Sequence, residues 1–172
     1  MEILIVGGFV VALMVMLSTR IKKSAAKAYE AEIVETEAFK VYKPDGFIHP
    51  LNDDYPFEAN SKEHGKNEAS KFRQARAILK VINNSDFKTV CENAKKTTGK
   101  IISKRYVENA PAGQRIFLLE GESVENTVKT LVYWRIVESG QKIYELRAAV
   151  IANYSEEFTE KIKTMRESFE VK

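Results

Sequence analysis

The chain opens on an unbroken apolar run, Ile3 to Leu17, with no charged and no strongly polar side chain. Carried on to Ile21, with Arg20 reaching outward, the run makes a helix of about 28 Å at about 1.5 Å per residue, close to the ~30 Å of bilayer hydrocarbon. The pattern predicts a single N-terminal transmembrane anchor over residues 1–21. A cleaved signal peptide is the main rival reading and a buried core helix a third. A signal peptide needs a positive start, whereas only Met1-Glu2 precedes the run, and Ala26-Lys27-Ala28 lies beyond Arg20, Lys22 and Lys23. Residues 22–37 are basic at first and then rich in Ala and Glu, without Gly or Pro, and read as a helical stalk continuing the anchor.

From residue 38 the pattern changes to that of a folded domain running to residue 172. Phe39, Val41 and Tyr42 read as a strand that Pro44-Asp45-Gly46 ends. Phe47 to Leu51 is a short extended piece, Tyr55 to Asn60 a second short strand, and Ser61 to Ser70 a polar loop. Residues 74–83 alternate as a strand would, with Ala75, Ala77, Leu79 and Val81 on one face, although the alanines also suit a helix. Asn83-Asn84-Ser85-Asp86 then starts a helix whose apolar face holds Phe87, Val90, Cys91, Ala94 and Ile101, interrupted by a polar turn at Thr97-Thr98-Gly99.

After Ile102 the pattern turns β. Arg115 to Glu120 is a strand and Gly121-Glu122-Ser123 a turn. Residues 127–137 and 142–151 form two long strands joined through Glu138-Ser139-Gly140-Gln141, a hairpin with glycine at a turn centre. With Ser139-Gly140 as the turn, Tyr133 faces Leu146 and Trp134 faces Glu145. Leu131, Tyr133, Leu146 and Ala148 then share one face, and Val132, Trp134, Ile136 and Ile143 the other. Residues 156–168 close the chain as an amphipathic helix, with Phe158, Ile162, Met165 and Phe169 on its inner stripe. The order of elements is α+β: an antiparallel β-sheet packed with α-helices, preceded by the N-terminal anchor.

Charge narrows the possible partners. The 172 residues carry a formal net charge of +3, yet residues 29–172 are formally neutral. The basic excess sits in Arg20, Lys22, Lys23 and Lys27, placed to touch lipid headgroups. Nucleic-acid binding is therefore disfavoured. Under the positive-inside rule the same cations put the C-terminal domain in the cytoplasm, on the inner face of a cell membrane; an extracytoplasmic domain is the alternative. Gly8 and Ala12 form a small-xxx-small pair that admits homo-oligomers through the anchor. The single cysteine, Cys91, falls on an apolar helix face and reads as a buried small hydrophobe.

Reactive chemistry is sparse. His49 and His64, with Asp53, Asp54, Glu58 and Glu63 around them, lack the spacing of a metal site. Adjacent Asp53 and Asp54 would point to opposite faces of a strand, which suits paired acid–base work poorly. No phosphate-binding glycine loop and no nucleophile elbow is present. No cofactor is expected. The better candidates are surface features: Trp134, with Arg147 and Glu145 near it, either forms a binding face or is covered by the loop from Pro44 to His64 and belongs to the core.

Three features resemble the PsbP-like family. They are the Lys43-Pro44-Asp45-Gly46-Phe47 turn, the hairpin with Gly140 followed by Tyr144-Glu145-Leu146-Arg147-Ala148-Ala149, and the Glu167-Ser168-Phe169-Glu170-Val171 ending. The resemblance covers roughly residues 38–171. It implies a central antiparallel sheet with flanking helices and a non-catalytic role in assembling or stabilising larger complexes, in a family whose well-known members act outside the cytosol. It assigns no functional residue. The expected function is thus a membrane-anchored binding module associating with a membrane protein complex. The alternative is a membrane-bound enzyme or small-ligand carrier with a pocket between the sheet and the C-terminal helix, which convergence of His49, His64 and nearby acids would favour.

Overall fold

The computed structural model of the protein describes residues 14–20, 26–50, 54–65, 72–111, 113–125 and 127–172. Residues 14–20 are helical and exposed, but most of the expected anchor lies outside the described residues. Among the described residues, no helix is long and apolar enough to cross a membrane.

Alternation of apolar side chains builds two antiparallel sheets rather than the single sheet expected, because β2 pairs with β1 and β9 and not with the strands of the larger sheet. The smaller joins β1 (Glu32–Glu35), β2 (Phe39–Lys43) and β9 (Glu170–Val171) in the order β1-β2-β9. The larger joins β3 (Phe57–Asn60), β4 (Ala75–Asn83), β5 (Lys100–Tyr106), β6 (Gln114–Glu125), β7 (Val128–Ser139) and β8 (Lys142–Ile151) in the order β3-β4-β8-β7-β6-β5. Helix α1 (Phe87–Thr97) packs on one face of the larger sheet; α2 (Ser155–Ser168) and the smaller sheet pack on the other.

Two cores result. Tyr133, Val137, Leu146 and Ala148 meet Phe158, Ile162, Met165 and Phe169, so the expected inner stripe of the last helix is buried on the sheet. On the opposite face Phe117, Leu119, Trp134, Ile136 and Ile143 meet Phe87, Val90, Cys91 and Ala94 of α1. Asp86 caps α1 by accepting from the Thr89 amide at 2.9 Å. Burial pushes the Cys91 thiol up to about 12, which leaves it packed and unreactive.

Four local expectations differ from the structure. Part of the expected helical stalk, residues 32–35, is instead strand β1, because Ile33 and Val34 pair with Tyr42 and Val41 of β2. The expected α1 face does not reach Ile101, which lies in β5 after the helix ends at Thr97. Gly121 is no turn: β6 runs on to Glu125, and a Cβ there would collide with the Thr98 methyl and the Lys100 carbonyl. Close approach of two chain segments, rather than chain reversal, requires that glycine. The β7–β8 turn is Gly140-Gln141, closed by Ser139↔Lys142. Gly140 has φ +60°, and the left-handed residue comes first in a turn whose twist matches the strands. The register therefore moves by two residues, which keeps every face as expected but sets Trp134 opposite Arg147 and Ile136 opposite Glu145.

The N-terminal segment is fastened to the domain by Lys43. Its side chain has 0% exposure. Its ammonium donates to the carbonyls of Glu30 (2.6 Å), Phe47 (2.7 Å) and Ala28 (3.4 Å), with the Glu32 carboxylate at 3.6 Å. The Gly46 amide adds a bond to the Tyr29 carbonyl at 2.8 Å. Across the turn, Lys161 of α2 holds Asp45 at 2.9 Å and lowers its pKa. Lys43→Met is expected to lower stability by about 1–3 kcal/mol, because the carbonyls it serves lose their donor. Thermal melting measures the loss, and hydrogen exchange should speed up first at Gly46; an unchanged melt and unchanged exchange would show that the ammonium fastens nothing.

Candidate functional site

Among the described residues, helix α1 packs on Phe117, Leu119, Trp134, Ile136 and Ile143 of its sheet face, and beyond it Arg76 and Lys80 of β4 are exposed. The boundary passes through Trp134. In the row that crosses it, Glu58, Ile78, Arg147, Trp134 and Leu119 lie opposite one another from β3 to β6. The next row sets Lys80 against Glu145 and Glu145 against Ile136. The structure thus brings together Trp134, Arg147 and Glu145, the three residues singled out from the sequence.

Trp134 is core, at 5% exposure, so its indole is not itself a binding surface. The cover is helix α1 rather than the loop from Pro44 to His64: that loop packs elsewhere, with Phe47 against Phe158 of α2. The Trp134 Nε1–H donates to Thr98 Oγ1 at 3.2 Å, and the Thr98 hydroxyl donates to the Ala94 carbonyl at 2.9 Å. The indole therefore locks the end of α1, next to the close approach that Gly121 permits.

Arg147 seals the open edge of the indole. Its guanidinium stands 5.3 Å from the ring centroid and pairs with Glu125. Beyond it lies a cleft of about 150 Å³ lined by Arg73, Arg76, Arg147, Glu125, Thr130 and Ala149, among others. Each guanidinium is already held. Arg76 reaches the buried Glu58 carboxylate at 2.7 Å, and Asn60 donates to the same oxygen at 2.8 Å. Arg73 pairs with Glu63 at 3.4 Å. The three arginines are thus fixed in place, with much of their charge balanced by nearby carboxylates.

Sequence reading missed Arg73, Arg76, Glu58 and Glu125 as members of this site. A signal was available on β4, where Arg76 and Lys80 alternate with the apolar inner face. What could not be read was which strands lie beside β4.

The remaining candidates do not converge. His49 Nδ1 lies 2.7 Å from the Glu58 carbonyl and its ring stacks on Phe57, whereas His64 Nδ1 lies 3.2 Å from the Tyr154 hydroxyl. Asp53 lies outside the described residues, as do Lys22 and Lys23 of the expected headgroup contact; Arg20 and Lys27 are exposed. The layer between the sheet and α2, where a pocket was the alternative expectation, is filled by Phe158, Ile162 and Met165, each at 2% exposure or less.

The sequence matches no protein-family profile and no curated protein. Solved structures do match in fold. LpqN of Mycobacterium tuberculosis, described as involved in cell envelope biogenesis, superposes with a TM-score of 0.53 at 11% identity, covering 83% of this chain and 90% of its own. The cyanobacterial PsbP of Synechocystis sp. PCC 6803 superposes with a TM-score of 0.53 at 12% identity, covering 84% of this chain and 94% of its own. At these identities the likeness is one of fold: the chain is α+β with a PsbP-like fold, as the turn, hairpin and C-terminal motifs led one to expect.

Glu145 sits partly buried between Lys80 and Arg147, and its pKa is raised because desolvation outweighs both cations. A raised carboxyl pKa favours the folded state at low pH, and that contribution is lost as pH rises through the folded-state value. Glu145→Gln is therefore expected to raise the melting temperature at pH 7, with the gain shrinking as pH falls towards the ordinary value of 4.5. Melting curves between pH 4 and pH 7, a range about that value, check it; a gain independent of pH would assign the effect to packing.

Proposed function

We propose that the protein is a membrane-tethered, non-catalytic binding module that associates with a membrane protein complex, and that it does so through the open sheet face around Arg147. The carrying observation is the construction of that face. An arginine backed by a buried tryptophan and held by a carboxylate has little further freedom to lose on binding. Arginine and tryptophan are also the side chains that dominate protein interfaces. The cleft beside it, about 150 Å³, is smaller than the roughly 300–1,000 Å³ of small-molecule sites and suits a single side chain of a partner.

Three further observations support the reading. The apolar run of residues 3–17 followed by Arg20, Lys22, Lys23 and Lys27 has the character of an anchor with a cytoplasmic domain. The Lys43 cage fixes the chain at Ala28 and Glu30, where it would arrive from such an anchor. The description of LpqN as involved in cell envelope biogenesis agrees with a role at a membrane.

Arg147→Ala tests the proposal. The full chain is captured in mild detergent, and its partners are quantified by mass spectrometry. A partner present in stoichiometric amount with the wild type should fall by at least about tenfold with Arg147→Ala while the fold is retained, as loss of a central interface arginine implies. Retention of that partner by the variant, or by residues 1–37 alone, would contradict the assignment.

A further inference from the structure

We infer that β5 is a docking edge, which accepts an extended acidic segment of a partner protein as a seventh strand of the larger sheet. This surface is separate from the Arg147 face and the inference stands independently of it.

The two edges of the sheet are built differently. At the β3 edge, Ile48 exchanges backbone hydrogen bonds with Asn60 at 2.8 and 2.9 Å, and His49 Nδ1 lies 2.7 Å from the Glu58 carbonyl. At the other edge, all seven residues of β5 are exposed, and among the described residues no backbone hydrogen bond reaches its outer side. The Val107 amide donates to the Ile116 carbonyl at 3.0 Å, so Val107 turns its backbone groups toward β6. Period-two alternation then turns those of Lys104 and Tyr106 outward. The strand carries unpaired donors and acceptors over roughly 23 Å at ~3.3 Å per residue.

Charge decides what fits. β5 contains Lys100, Lys104 and Arg105 and no acid, and of these Lys100 already pairs with Glu122 of β6 at 3.7 Å. Edge-to-edge pairing of two copies would bring these cations together, which disfavours a second copy as occupant. The same cations complement an acidic strand. Ile102, the extra residue of the bulge between Ile101 and Ser103, and Tyr106 are 58% and 55% exposed and offer apolar contact along the same edge. Hollows stand at both ends for flanking side chains. One of about 430 Å³ lies beyond Lys100, beside Val124 and Leu131; one of about 520 Å³ lies beyond Tyr106, beside Lys88 and Arg115.

The test uses the full chain in mild detergent with a fluorescein-labelled heptapeptide alternating glutamate and valine. A second peptide has lysine in place of each glutamate. Anisotropy should show saturable, salt-sensitive binding of the acidic peptide and not of the basic one. Lys104→Glu with Arg105→Glu should weaken binding by at least about tenfold. Lys104→Pro should abolish it, because the lost N–H faces outward and the pairing to β6 is retained. If that variant melts early, an acidic peptide N-methylated on alternate amides replaces it and should fail to bind. Amide shifts in the wild type should centre on Lys104 and Tyr106. No binding, equal binding of the basic peptide, shifts centred elsewhere, or self-association through β5 seen by sedimentation would each overturn the inference.

Discussion

A lysine ammonium with no exposed side-chain surface holds the first described strand, the Pro44 turn and the segment arriving from residue 26 in one arrangement. Removing an ammonium from water costs several kcal/mol unless its hydrogen bonds are replaced. Lys43 has three N–H donors, and three backbone carbonyls, of Ala28, Glu30 and Phe47, face them. Only the folded geometry supplies all three, so the cost of burial becomes a constraint on the path of the chain. The path it selects brings β1 onto β2 and, through Asp45 and Lys161, ties the same turn to α2.

With the N-terminal segment fixed, the larger sheet divides its work between two faces. One is fully occupied by α2 and the smaller sheet. The other is occupied by α1 only as far as Trp134, whose N–H ends on Thr98 at the helix terminus. Beyond that line the apolar pattern gives way to arginines set in carboxylates. A surface of this kind is costly to rearrange, and the proposed binding role rests on that rigidity.

The sequence made much of this legible. Period-two alternation placed Tyr133 and Leu146 on one face and Trp134 and Ile143 on the other, and the structure keeps them there. Helical spacing found the Phe158, Ile162, Met165 stripe. Two errors share a cause. Gly121 reads as a turn residue and Gly140 as the second residue of a Ser139-Gly140 turn, whereas Gly121 serves close packing and Gly140 comes first in the Gly140-Gln141 turn. Glycine marks a special backbone position without saying which one. The helical reading of residues 32–35 fails because Ala- and Glu-rich composition favours a helix locally, whereas pairing of Ile33 and Val34 with β2 is tertiary information. For the same reason Arg147 and Glu145 could be named from β8 alone, while Arg76, Glu58 and Glu125 come from strands whose neighbours the sequence does not reveal.

Through Lys43 the domain is fastened to the chain arriving from residue 26 rather than hinged from it. Spin labels at Lys27→Cys and Lys104→Cys, both exposed, with Cys91 buried and out of reach, give the distance between the arriving chain and the domain. Pulsed electron–electron resonance on the full chain in detergent should show one narrow distribution. A broad distribution, spread as a flexible linker would spread it, would contradict the account.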